Sequence, residues 1–270
     1  MVVDFVIALQ GTRWPRERGF LGTSAILFMA SAAATVHWCR SMSGSMAMPG
    51  GWTMSMAWMR MSGQTCVGAA ATFMGMWVVM MAAMMMPSLV PMLLRYRGSV
   101  HGPDEARIGR LTALVGAGYL FVWAIFGAAV YPLGLVSTAA EMQWHPLARS
   151  VPIATGVVLL LAGWVQLSAW KARELARCRD VPGCEHLQPM HTWTAWQYGL
   201  HLGVHCSLCC SGFMLVLVAT GVMDLRAMAI LTAAITIERL SPRPQPAARA
   251  AGVALIGVAA LVIARALTVA

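Results

Sequence analysis

Five metal-binding donors stand within ten residues: His201, His205, Cys206, Cys209 and Cys210, with Met214 one turn further on. On a helix, His201, His205 and Cys209 step by four residues and share one stripe. Cys206, Cys210 and Met214 form the neighbouring stripe, about 100° round. Imidazole and thiolate together suit Cu(I) or Zn(II). A lone His or Cys has an ordinary reading as a buried side chain, but five donors on two adjoining stripes predict a metal site. The alternative for the same cysteines is redox chemistry, since the C-x-x-C spacing of Cys206 and Cys209 on a helix permits a dithiol pair. A second group, Cys178, Cys184, His186 and His191, lies just upstream. It offers donors to complete a tetrahedral site or to take part in transfer.

Sulfur is concentrated in two further places. Between Cys39 and Cys66 stand seven methionines, Met42, Met46, Met48, Met54, Met56, Met59 and Met61, spaced M-x-M and M-x-x-M among Gly and Ser. Thioethers are soft, uncharged ligands that select Cu(I) or Ag(I) over zinc or magnesium. The other reading of this stretch is an adaptable flap lying on a bilayer. Cys39 and Cys66 would close a disulfide in an oxidising compartment, or add Cu(I) ligands beside His37. The second place is the stretch 67–94, where Met74, Met81, Met85 and Met92 fall within about 40° of one another on a helix. Met76, Met80 and Met84 form a second stripe. Such stripes serve either as a metal path or as packing. Pro87 predicts a freed carbonyl and a kink near Ser88.

The elements that carry these residues follow from composition. Of 270 residues, 59% are hydrophobic and 11% charged, against roughly 25% charged in soluble domains. A soluble fold would lack the polar surface to cover itself, and disorder, collagen-like repeats and binding of nucleic acid through basic patches are excluded. The expected fold is all-α: a polytopic helical bundle forming one integral membrane domain over residues 1–270. Apolar runs of spanning length occur at 20–38, 67–94, 111–136, 151–170, about 200–223 and 250–267. A shorter run, 227–237, decides between six and seven spans. With seven, and the N-terminus in the cytoplasm, fourteen of the 19 Lys and Arg residues lie inside and five outside. Omitting 227–237 moves Arg239, Arg243 and Arg249 outside, against the positive-inside rule.

Seven spans is therefore the preferred reading, with Arg226 and Arg239 snorkelling from the ends of the short helix. Asp224 and Glu238 border that helix. Charges so placed are candidates for function, and end-capping is the preferred reading of both. This topology makes 39–66 a Met-rich extracytoplasmic loop and 171–197 a cytoplasmic Cys/His loop, in a multi-pass protein of a bacterial inner membrane.

Three blocks carry a resemblance: M-W-V-V-M-M-A-A-M-M-M-P-S at 76–88, K-A-R-E-L-A-R-C-R-D-V-P at 171–182, and G-V-H-C-S-L-C-C-S-G-F-M at 203–214. The last is followed by G-V-M-D-L-R-A-M-A and then Glu238. Over about residues 74–241 the chain resembles a bacterial family of predicted metal-binding integral membrane proteins, long filed as a domain of unknown function. The resemblance implies metal binding without an established reaction. The family pattern has two cysteines in the Lys-led block. Here Cys178 matches the second and Glu174 stands where the first would be, so a site using both thiols is altered or is completed by Cys184. The Met-rich loop lies outside the resemblance.

The preferred function is handling of a soft metal, Cu(I) before zinc, in uptake, delivery or homeostasis. Ligand strength rising from neutral Met outside to anionic Cys inside fits uptake. No G-x-x-x-x-G-K-[ST] motif for ATP is present. The expected partners are the lipid bilayer, the metal ion, and a metallochaperone or metalloenzyme, and not nucleic acid. The alternatives are a membrane thiol–disulfide oxidoreductase and a non-catalytic assembly factor for a metalloenzyme. A hydrolytic enzyme is not supported, since no H-E-x-x-H motif or plausible Ser–His–Asp set occurs.

Overall fold

The computed structural model describes residues 14–41, 46–47, 53–54, 58, 63–100, 104–179 and 191–269. These form helices α1 (Trp14–Ser41), α2 (Cys66–Ser99), α3 (Glu105–Gln143), α4 (His145–Leu167), α5 (Ala169–Arg179), α6 (Thr192–Thr220), α7 (Leu225–Leu240) and α8 (Pro244–Val269). A two-residue ladder, β1 (Met46–Ala47) with β2 (Thr53–Met54), lies in the Met-rich loop and sets positions 46 and 54 opposite each other. The chain is thus an all-helical polytopic bundle. Among the described residues α1, α2, α3, α4, α6 and α8 are long and apolar enough to cross a membrane.

The helices begin and end where side chains satisfy exposed amides. Thr65 accepts from Gly68 N at the start of α2, Asp104 from Ala106 and Arg107 N at α3, and Asp224 from Arg226 and Ala227 N at α7. This is the capping expected of Asp224. α2 runs on through Pro87 and Pro91. Ser88 Oγ donates to the Met85 carbonyl at 3.0 Å.

α2 and α6 are the most buried of the spans, α1 and α8 the least. The most extensive packing joins α4 to α8 and α3 to α6, and both seams are lined by glycines. A Cβ on Gly199 of α6 would collide with the Val115 carbonyl of α3, and one on Gly118 would sit 2.8 Å from the Trp196 carbonyl. In α4, a Cβ on Gly163 would lie 2.9 Å from the Gly252 carbonyl of α8. Small residues let helices approach closely where lipid supplies no hydrophobic drive. Trp77 Nε1 donates to the Trp123 carbonyl at 2.9 Å, tying α2 to α3 in the core.

Side-chain contacts give the two ends of the bundle. Arg97, near the end of α2, pairs with Glu17 of α1 at 2.6 Å and with Glu105 of α3 at 3.4 Å. At the other end, Cys39 of α1 approaches Met223, just past α6, at 3.7 Å. α7 therefore runs in the direction a seventh traverse would. Its 16 residues rise only about 24 Å, less than a hydrocarbon core of about 30 Å.

Candidate metal centre

Four cysteines from two helices meet in the end of the bundle marked by Arg97. α6 supplies Cys206, Cys209 and Cys210, and α5 supplies Cys178; none is more than 2% exposed. The i, i+4 step expected of a helix brings Cys206 Sγ to 3.9 Å from Cys210 Sγ. Cys178 lies against both Cys206 and Cys209. Hydrogen bonding to those two sulfurs, with burial, pushes the Cys178 thiol well above its ordinary range. Met214 is also buried, 1% exposed, on α6.

Two cations reach this cluster. Arg239 of α7 donates through Nη1 to Cys206 Sγ at 3.1 Å and Ser88 Oγ at 3.0 Å. Through Nη2 it donates to Cys178 Sγ at 3.0 Å and Met92 Sδ at 3.1 Å. Tyr119 of α3 meets Cys206 Sγ at 3.0 Å. Lys171 of α5, 1% exposed, donates to the Cys209 carbonyl at 2.7 Å, pairs with Glu238 at 2.8 Å and lies over the Phe213 ring. Gln166 Nε2 donates to the other Glu238 oxygen at 2.6 Å. The readings of Glu238 as an end-cap and of Arg239 as a snorkelling side chain are corrected here. Both are buried, at 2% and 4% exposure, because each has polar partners inside the bundle. Arg226, at the other end of α7, is exposed.

The histidines lie apart from the thiols. His201 is exposed and His205 partly buried, with their Nε2 atoms 3.1 Å apart. The two rings therefore meet edge to face at the surface of α6 rather than in the sulfur cluster. His205 Nδ1 faces Glu174 Oε2 at 3.4 Å, and Arg177 holds the other Glu174 oxygen at 2.7 Å. Glu174 thus faces an imidazole, the arrangement that commonly fixes a histidine ligand. Among the described residues, no group of three or more His, Cys, Asp and Glu side chains is spaced to hold a metal ion. The sulfurs instead surround Arg239, and the donor set there includes a thioether and a hydroxyl.

The methionine stripes of α2 are core. Met76, Met80, Met81, Met84 and Met85 are buried, Met92 is 9% exposed, and Met74 packs against them partly buried. Met92 lies 26 positions beyond Cys66, about 39 Å along the helix axis. The Met-rich loop and the thiol cluster therefore sit at opposite ends of α2, with the buried methionines between. Met42, Met48, Met56, Met59, Met61, Cys184 and His186 lie outside the described residues. Met46 and Met54 are placed by the β ladder. His191 is the exposed N-cap position of α6. Cys39 and Cys66 carry no disulfide; Cys39 is buried and Cys66 exposed.

Ligand spacing alone does not reveal Arg239, Lys171, Glu238 and Tyr119 as neighbours of the cysteines. The signal for two of them was the charged pair Glu238–Arg239 closing an apolar helix. Tyr119 gave none.

Comparison with known proteins finds no curated relative and no solved structure that matches. A family match covers residues 74–262, well over half of the chain. It spans the α2 methionines, the α5 and α6 cysteines and Arg239, and begins after the Met-rich loop. The sulfur-lined centre thus lies wholly within the matched region, and the chain belongs to the PpoB2 family of copper chaperones.

Proposed function

We propose that the protein binds Cu(I) as cargo at the buried sulfur cluster and delivers it to a copper-requiring acceptor. One observation carries this reading. Cys178, Cys206, Cys209, Cys210 and Met92 converge from three helices at the end of a core lined with methionine. Soft donors of this kind favour Cu(I) over zinc or magnesium. The membership of a copper chaperone family supports the same metal.

The functional division follows the bundle's two ends. The Met-rich loop captures copper on the extracytoplasmic side, where neutral thioethers bind weakly and release readily. The buried α2 methionines offer soft contacts along the route, and the thiols provide the stronger terminal site. His201 and His205 lie on the accessible face of the same helix, where an ion passes between the cluster and an acceptor. Binding and delivery need no bond cleavage.

The 3.9 Å approach of Cys206 and Cys210 favours a second reading, a dithiol oxidoreductase. Thiol exchange needs an attacking sulfur to reach one of them, and both are at most 2% exposed. That burial favours a held ion over an exchanging disulfide.

The test is the metal content of detergent-purified protein loaded with Cu(I) under reducing, anaerobic conditions. Copper retained through gel filtration, and lost when Cys206 and Cys209 are changed to Ser, supports the proposal. Zinc retained in preference to copper, or no metal retained, overturns it.

A further inference from the structure

Arg239 differs from the other buried cations of the bundle. Arg97 has Glu17, and Lys171 has Glu238. Among the described residues Arg239 contacts no carboxylate; its neighbours are two thiol sulfurs, a thioether and two hydroxyls, those of Ser88 and of Tyr119 beyond Cys206. A guanidinium does not deprotonate in proteins, and a cation 4% exposed requires compensating negative charge nearby. Among the described residues, the groups in contact that can supply it are Cys178 and Cys206. Glu238, next in sequence, is turned away to Lys171 and Gln166.

We propose that Arg239 is the positioning and charge-balancing residue that makes the sulfur site specific for a monovalent soft cation, with Cys178, Cys206 and Met92 as the sulfurs it sets. The proposal rests on the reading of the cluster as a Cu(I) site and adds to it the residue that selects the ion's charge. One arm of the guanidinium fork holds Cys206 and Ser88, and the other holds Cys178 and Met92. The planar fork therefore fixes sulfurs from α6, α5 and α2 beside one another, which the point charge of a lysine cannot do.

The charge arithmetic gives the selectivity. Two thiolates with one Cu(I) carry a net charge of −1, and the guanidinium brings the buried assembly to zero. The same thiolates with a divalent ion and Arg239 leave +1 in a low-dielectric interior, where uncompensated charge is costly. Each sulfur–copper bond forms as any thiol proton leaves to solvent, and no electron changes hands.

The experiment compares wild type, Arg239→Met and Arg239→Lys in detergent, reduced and anaerobic, by competition with chromophoric chelators for Cu(I) and separately for Zn(II). Met keeps most of the length and removes the charge. Lys keeps the charge and removes the fork. Arg239→Met is expected to weaken Cu(I) binding by about tenfold or more and to shrink the Cu(I)-over-Zn(II) preference by a similar factor. Arg239→Lys is expected to lose Cu(I) affinity while keeping the preference. Arg239→Met with wild-type affinity and preference overturns the proposal. If Arg239→Met does not elute as a monodisperse species, Arg239→Lys decides alone, and unchanged affinity or a lost preference overturns the proposal. Wild type that fails to bind Cu(I) sinks the underlying copper reading instead, whereas indistinguishable variants of a copper-binding wild type sink only the role of Arg239.

Discussion

Replacing Glu238 with Gln keeps the shape of the side chain and removes its charge from beneath Lys171. The pair is closed at 2.8 Å with side chains 1% and 3% exposed, so solvent does little to screen it. Breaking a buried pair by deleting one partner costs about 3–5 kcal/mol, because the remaining charge is stranded. Here Lys171 would keep the Cys209 carbonyl at 2.7 Å and the Phe213 ring at 5.2 Å, and a glutamine could still meet Gln166. The lower end of the range applies, about 3 kcal/mol, or roughly 150-fold in the folding equilibrium. The double variant Lys171→Met with Glu238→Met removes both charges together and should return to within about 1 kcal/mol of wild type. Reversible unfolding in mixed micelles with a rising fraction of dodecyl sulfate measures Glu238→Gln and, beside it, wild type, Lys171→Met, Glu238→Met and the double variant as the four corners of a cycle. A Glu238→Gln cost below about 1 kcal/mol, or a double variant as unstable as the two singles added, would refute the reasoning. The pair then would not be what holds α5, with Cys178, against α7, with Arg239.

Changing Gly199 to Leu should part the α3–α6 seam, since even a Cβ meets the Val115 carbonyl. The expected cost is about 1–3 kcal/mol as a lowered unfolding midpoint in detergent, and an unchanged midpoint would contradict that packing. Changing Met42, Met46, Met48, Met54, Met56, Met59 and Met61 to Leu should slow copper acquisition by cells when external copper is scarce, and the deficit should fade as copper is raised. Normal uptake under scarcity would make the loop an apolar flap. Cys66 is exposed at the loop end of α2, so a membrane-impermeant maleimide should label it in intact cells. Labelling only after permeabilisation would invert the orientation.

Much of the bundle was legible because a membrane helix announces itself by length and apolarity, and the basic residues set an expected orientation. The i, i+4 step likewise placed Cys206 and Cys210 together without knowledge of any neighbour. The failures came where tertiary partners decide. His201, His205 and Cys209 share a stripe on paper, yet Cys209 is buried against Cys178 while the histidines face outward. A stripe spans enough arc for its edges to enter different environments. Arg239 and Glu238 read as interfacial residues because a helix of 16 residues ends near polar headgroups in any simple layout. Only the positions of Lys171, Gln166, Ser88 and Cys178, distant in sequence, turn them inward. The contact of Glu174 with His205 likewise depends on how α5 folds back over α6.

The claim that the buried sulfurs hold copper is tested most directly by X-ray absorption at the copper edge. The samples are Cu(I)-loaded wild type and the variant with Cys206, Cys209 and Cys210 changed to Ser, both in detergent. Serine is close in size but a hard, poor ligand for Cu(I), so the fold is kept while the soft donors go. The account predicts a wild-type first shell dominated by sulfur, and loss of most tightly held copper from the variant with its elution profile unchanged. A wild-type shell of nitrogen alone, or a variant that keeps the same copper with the same spectrum, would contradict it.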